Sequence, residues 1–455
     1  MTALSVPGDR LLGRFLSNDA GRTFAVGAGA AFLVKSLGAV LLLIGQIVAA
    51  RLLGPEEYGY FTYAQSVLLI ITIFTIQGYD LSLLRFVPEY AVGRNWGALK
   101  GVLTHSFRLA AGVSVGVVVL AAAVLWIFPH MFPKGQAAAL FVMLLSVPLY
   151  TLTMLRQSTL RAFKHVVPAD LPESIIRPLL FIAALPIAAQ LTALDAVGAW
   201  WTYSIVVLIA FVFGTRLMLA KIPPEVGAAV GESRRSEWAT ISQDMMWMNA
   251  MNVVFNQASV VLLGFFGSAL DVALFSAVTR IAFFISFAMF AVSAIAAPMI
   301  SEFYYAGKTD DLQRIMALSA AFLAFVTLAA NLLLLSAGRQ VLGLFGRQFR
   351  EAYGLLLLLM LGHTFKSFAG PASYLLNMSG RQQFTRRMMF VFVIGHLLIN
   401  LMLIPPYGGL GAAWATAITM ILWNLALAYA SFRFVHVDPT FLSLLKYRRL
   451  LKFGG

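Results

Sequence analysis

The sequence predicts an all-α, polytopic membrane protein, on three observations. Hydrophobic residues make up 60% of the 455 and charged residues only 11%, against about a quarter charged in a soluble domain; mean hydropathy is +0.85. Apolar runs of about 20 residues, the length that crosses a bilayer as a helix, recur with turn chemistry between them. Lys and Arg collect at alternate connections, as they do on the cytoplasmic side of membrane proteins.

Residues 1–24 carry Arg10, Arg14 and Arg22 without a cleavable signal pattern; Leu11, Leu12, Phe15 and Leu16 suit either a surface amphipathic helix or a disordered basic tail. Twelve spans are predicted at roughly 25–50, 58–84, 102–128, 137–160, 173–192, 197–219, 240–265, 270–300, 313–337, 353–377, 387–405 and 409–432. The breaks carry turn formers, as at Gly54-Pro55, Pro223-Pro224 and Pro405-Pro406-Tyr407-Gly408-Gly409. With the amino terminus in the cytoplasm, twenty-five of the 33 Lys and Arg residues fall inside, five outside and three within spans. Both termini are therefore expected to be cytoplasmic.

The two halves echo each other. GYFTYAQSV (59–67) aligns with ALFSAVTRI (273–281), EYAVGR (89–94) with EFYYAGK (302–308), and VGAWWTYS (197–204) with LGAAWATA (410–417), at an offset of about 213–214 residues. Two parallel six-helix repeats around a central cleft follow: an N-lobe at 25–220, a linker at 221–237, a C-lobe at 238–433 and a basic cytoplasmic tail at 434–455.

Lys35, Arg280 and Lys366 interrupt apolar runs, about 15–20 Å along their spans at about 1.5 Å per residue. A cation at the bilayer centre costs about 2.5–3.5 kcal/mol, and no matching set of acids lies at that depth. A cationic cavity for an anionic substrate is the expectation. Asn249, Asn252, Asn256 and Ser259 share one helical face, as a wetted wall or as interhelical glue. Carboxamides suit sugar hydroxyls, and Lys and Arg suit phosphate or uronate oxygens. Asp80 and His363 are candidates for binding a coupling proton or sodium ion, with a structural pairing and an ordinary buried histidine as the alternatives. Glu173 and Arg177, four apart, suggest a helix-end pair without function.

With no cysteine in the chain, thiol catalysis and thiolate metal sites are excluded. No metal-ligand cluster or Gly-rich phosphate loop appears, so no cofactor and no enzymatic activity are expected. The basic balance reflects membrane orientation, and the KYRRLLK tail (446–452) suits anionic lipid instead of nucleic acid.

QIVAARLLGPEEYGYFTYAQSVLLI, GYDLSLLRFVPEYA, LLNMSGRQQ and NLMLIPPYGGLGAAWATAI together resemble the Wzx-type polysaccharide flippases. They belong to the superfamily that also contains multidrug exporters and the lipid II flippase. The resemblance implies two six-helix lobes in alternating access, and an undecaprenyl-diphosphate-linked oligosaccharide flipped across a bacterial inner membrane for surface polysaccharide biosynthesis. Expected partners are that substrate, membrane lipids, a polysaccharide polymerase and glycosyltransferases. Such cavities are often cationic, which Lys35, Arg280 and Lys366 fit by depth. A multidrug exporter of the same fold and a membrane scaffold for glycan synthases are the alternatives.

Overall fold

The computed structural model describes residues 19–446 other than 129 and 131. Every regular element among the described residues is helical, as hydrocarbon demands, because a helix satisfies its own backbone hydrogen bonds. The first eighteen residues and residues 447–455 of the basic tail lie outside the described residues.

The first half contains α1 (Asp19–Ile76), α2 (Tyr79–Val92), α3 (Trp96–Ile127), α4 (Lys134–Leu144) and α5 (Ser146–Ala162). Then α6 (Val166–Leu171) passes through one π-helical turn (Pro172–Ile176) into α7 (Arg177–Leu191), and α8 (Ala196–Leu219) follows. After a short α9 (Pro224–Ala228) come α10 (Arg235–Phe266), α11 (Ala269–Ile285), α12 (Ala288–Tyr305) and α13 (Thr309–Gly343). A 3-10 turn (Arg347–Ala352) leads into α14 (Tyr353–Phe368), α15 (Ala372–Met378), α16 (Gln382–Val435) and α17 (Ser443–Lys446). Among the described residues eight helices are long and apolar enough to cross a membrane, or ten when two pairs bent by 45° and 42° each count as one.

The two longest helices double back. Gly54 (φ 75°, ψ 171°) interrupts the 58 residues of α1, and Gly408 (φ 53°, ψ −130°) the 54 of α16, in conformations that favour glycine. The Tyr58 hydroxyl donates to Gln46 Oε1 at 3.1 Å, although a straight helix would hold these residues about 18 Å apart. A Cβ on Gly411 would lie 2.0 Å from the Leu403 carbonyl oxygen. Each of these helices is thus a hairpin turning where the sequence carries Gly-Pro or Pro-Pro-Tyr-Gly.

The expected spans 58–84 and 270–300 are not continuous. The first breaks at Gln77 and Gly78, both with positive φ, and the second at Ser286, which caps α11. The first break lets α2 press on α10, where the Ser82 and Ser242 hydroxyls meet at 2.7 Å.

Packing between the halves is unequal at the two ends. At the hairpin-turn end one apolar core contains Tyr58, Phe61 and Trp200 together with Leu263, Phe275 and Phe349. There, a Cβ on Gly59 would lie 2.0 Å from the Ala269 carbonyl oxygen, and Arg51 Nε donates to the Leu344 carbonyl at 2.6 Å. At the linker end the cores separate, one around Leu83, Phe86 and Trp238 and the other around Ile300, Met316 and Leu427.

Gly59→Val should therefore weaken the closure at the turn end by about 1–3 kcal/mol through overpacking. Disulfide formation between Arg51→Cys and Leu344→Cys should fall in that background. An unchanged yield would show that this contact does not hold the halves together.

Candidate functional site

Arg280 sits on the seam between the halves. Its helix, α11, is started by a reciprocal cap between Ser268 and Asp271, and it packs most extensively on α1. Arg280 Nη2 donates to Gln65 Oε1 at 2.7 Å, the Tyr58 hydroxyl lies within electrostatic reach, and the buried Nε has no hydrogen-bond partner. The side chain is half-buried. Among the described residues no carboxylate pairs with it. A guanidinium held by a neutral oxygen keeps its charge for an incoming anion.

The interior of the first half contains a charged group that sequence reasoning missed. Glu173 accepts from Arg156 Nη2 at 2.9 Å and lies 2.8 Å from Arg177 Nη1, so the expected helix-end pair is a buried triad. Arg156 is fully buried. Local structure makes this possible. The π turn carries Glu173, and such turns are frequent at functional sites. Gly214 leaves the space that Arg156 fills, since a Cβ there would lie 1.0 Å from Nη1. The Arg177 guanidinium lies 5.5 Å from the Tyr150 ring centroid and 6.0 Å from that of Tyr203. Tyr203 in turn meets Gln65. A line of polar contacts therefore runs from Arg280 through Gln65 and Tyr203 to Arg177. The signal available in the sequence was the four-residue spacing of Glu173 and Arg177; Arg156 joins them only through the fold.

The amide stripe is divided among three environments. Asn249 Nδ2 donates to Asp80 Oδ2 at 3.1 Å, tying α10 to α2, and Asp80 Oδ1 is buried without a partner. Asn252 and Asn256 are exposed, and Asn256 Nδ2 donates back to Asn252 Oδ1 at 3.0 Å. Ser259 is buried against His396.

His363 and Lys366 lie inside the second half, where His363 Nδ1 meets the Ser286 hydroxyl at 3.0 Å at the break in the eighth span. Lys366 is half-buried, with no ion-pair partner among the described residues. Lys35 is exposed, one turn from Phe32, whose ring approaches Phe287 at 6.4 Å. No direct contact joins the three predicted cations. Among the described residues no group of three or more His, Asp or Glu is placed to hold a metal ion.

Breaking the triad on one side should be costly. Glu173→Gln leaves two buried guanidiniums facing a neutral amide, a loss of about 3–5 kcal/mol. Its apparent unfolding midpoint in detergent should drop well below that of the surface change Glu232→Gln. Equal midpoints would show that the triad contributes little to stability.

The overall arrangement matches known transporters. An inward-facing multidrug-resistance transporter of the MATE family, in the MOP superfamily, superposes with a TM-score of 0.76 at 14% identity, over 92% of this chain and 96% of that one. An outward-facing structure from the MATE family gives 0.61 at 15% identity, over 99% and 100%. The lipid II flippase MurJ in an inward closed conformation gives 0.68 at 16% identity, over 95% and 94%. At these identities the likeness establishes the fold alone, a multi-pass helical arrangement like that of these transporters. No curated protein matches the sequence. The sequence model of one family matches residues 24–304, well over half the chain and inclusive of the α11 seam, and by that match the chain belongs to the polysaccharide biosynthesis protein family.

Proposed function

We propose that this protein is a Wzx-type flippase, moving an undecaprenyl-diphosphate-linked anionic oligosaccharide from the cytoplasmic to the periplasmic leaflet of a bacterial inner membrane. The observation that carries this reading is Arg280, a half-buried guanidinium between the two halves whose resolved hydrogen-bond partner is a neutral amide. Family membership supports a role in polysaccharide biosynthesis, and the fold shared with a flippase supports transport.

Counting each arm of the two helical hairpins as a passage supports the reading of twelve spans, in a proposed N-lobe (25–220) and C-lobe (238–433) about the linker 221–237. One core spans the halves at the turn end, whereas at the linker end the core that takes in Trp238 and the core around Ile300 are separate, which suits a cleft open to the linker side. The bias of Lys and Arg makes that side cytoplasmic, with both termini there. Arg280 would take the diphosphate or an acidic sugar, with Lys35 and Lys366 extending the cationic path. Asn252 and Asn256, exposed on α10, would contact glycan hydroxyls. Asn249 serves chiefly to hold Asp80. Loading Asp80 with a proton or sodium ion would loosen that link between the lobes, and His363 is a second candidate for such an ion. Polymerase and glycosyltransferases would act on the same lipid-linked unit before and after passage. The protein contributes no covalent step, only differential affinity of two lobe arrangements for the cargo.

A multidrug exporter is the second reading, favoured by the superposition on the inward-facing MATE transporter. Organic cations, however, would meet Arg280 and Lys366 with like charge.

Both readings are tested in proteoliposomes carrying a lipid-linked oligosaccharide, with an impermeant enzyme that modifies outward-facing glycan and ethidium uptake followed in parallel. Arg280→Ala should slow glycan movement about ten- to a hundredfold, the 1.5–3 kcal/mol of a charged hydrogen bond, at unchanged membrane abundance. Normal movement would remove Arg280 from the site, and ethidium uptake with static glycan would make the protein a drug exporter.

A further inference from the structure

The second half contains a buried histidine that the proposed transport cycle has not used. His396 lies in the first arm of the α16 hairpin and is 1% exposed. Its Nε2 is 3.2 Å from the Ser259 hydroxyl of α10, and its Nδ1 is 3.2 Å from the Thr419 hydroxyl of the returning arm. Three helical segments therefore converge on one imidazole near mid-span.

Counting protons fixes the state of each partner. Thr419 Oγ1 donates to the Ala415 carbonyl at 2.7 Å, so toward the ring it can only accept. Nδ1 therefore carries a hydrogen. Thr416 Oγ1 likewise donates to the Ala412 carbonyl at 2.8 Å and can only accept from Ser259, 3.1 Å away. The single Ser259 proton then has two places to go. With a neutral ring it points to Nε2. With a proton on Nε2 the bond reverses, Nε2–H donates to Ser259 Oγ, and the Ser259 hydroxyl turns to Thr416. No hydroxyl loses a partner in either state.

Asn400 adds a second observation. Its Nδ2 donates to the His396 carbonyl at 2.7 Å, which fixes the amide orientation, and lies 3.3 and 3.2 Å from the two ring nitrogens. Its Oδ1 is buried and has no partner. An amide nitrogen, a donor, against the ring suits a neutral imidazole and opposes a charged one, so a proton on the ring disfavours this packing of Asn400.

We propose that His396 is the proton-binding site of the transport cycle, with the Ser259–Thr416 hydroxyl pair reporting its charge to α10. This rests on the transport reading above. The charged and titratable groups of the packed helices are Arg235, Glu237 and Asp244 on α10, Asp271 and Arg280 on α11, Tyr353, His363 and Lys366 on α14, Tyr374 on α15, and Arg386, Arg387, Tyr407, Tyr429 and Arg433 on α16. None of these acts on the ring, which meets hydroxyls, an amide, the Ala415 carbonyl and the Phe255 ring. A buried charge without a counter-ion is unfavourable. Proton loading therefore selects an arrangement in which the α16 hairpin parts from α10 and water reaches the ring.

The absence of cysteine allows a clean test that needs no substrate. Spin labels on Lys221→Cys and Lys308→Cys, exposed at the linker ends of the two lobes, report their separation in nanodiscs by pulsed dipolar spectroscopy. The distance distribution should change between about pH 5 and 8, where histidine titrates, and should be flat in His396→Gln. Ser259→Ala keeps the imidazole but removes the hydroxyl that donates to Nε2 in the unloaded, packed arrangement. Its midpoint should move about half to one unit higher, since the lost hydrogen bond held only the unloaded state, and this decides the matter should His396→Gln fail to fold. A pH-independent parent, an unaltered midpoint in Ser259→Ala, or a response abolished by Asp80→Asn or His363→Gln and retained in His396→Gln would each overturn the proposal. None of these outcomes bears on glycan movement in the vesicle assay, so the flippase reading stands or falls separately.

Discussion

Backbone contact between Gly59 and Ala269 is the constraint on which the rest of the molecule depends. At a separation where no side chain fits between them, the second arm of α1 and the start of α11 behave as one surface. The aromatic core of Tyr58, Phe61, Phe275 and Phe349 then closes over the turn end. At the linker end α10 instead joins the first half, with Trp238 in its core and the Ser242 carbonyl oxygen 2.1 Å from where a Cβ on Gly78 would lie, while the rest of the second half keeps its own core.

Within that frame the breaks in α1/α2 and α11/α12 have a common role. Each lies at the same place in its half, after the helix has crossed the seam and before it reaches the linker end. The Asp80–Asn249 and Ser82–Ser242 bonds sit just past the first break, so α2 can travel with α10 while the upper arm stays with α11. A helix broken at Gln77 and Gly78 lets one element belong to both bodies.

The two halves differ in what they bury. The first encloses two arginines and one glutamate, a surplus of positive charge tied through Tyr203 and Gln65 toward Arg280. The second encloses Lys366 and a network of uncharged hydroxyls and amides around His396. Charge in the first half is permanent, since arginine does not release its proton. Charge at a histidine is conditional. The division assigns a standing attraction for anions to one lobe and a group that can change state to the other.

Much was legible in the sequence by itself: the membrane class, the all-helical fold and the hairpin turns at Gly54-Pro55 and Gly408. These depend on composition, on glycine and proline, and on a rise of about 1.5 Å per residue, all of which can be counted along the chain. What a side chain faces cannot be counted in this way. Glu173 and Arg177 looked like a helix-end pair until the π turn and the gap at Gly214 brought Arg156 to them. One stripe of Asn249, Asn252, Asn256 and Ser259 became a link between lobes, an exposed wall and a contact to His396. Lys35, at a depth like that of Arg280, ended on an exposed face. Depth is a property of the chain, whereas the rotation of a helix and the identity of its neighbour are settled only when the helices pack, and that packing alone decided which polar groups form a site.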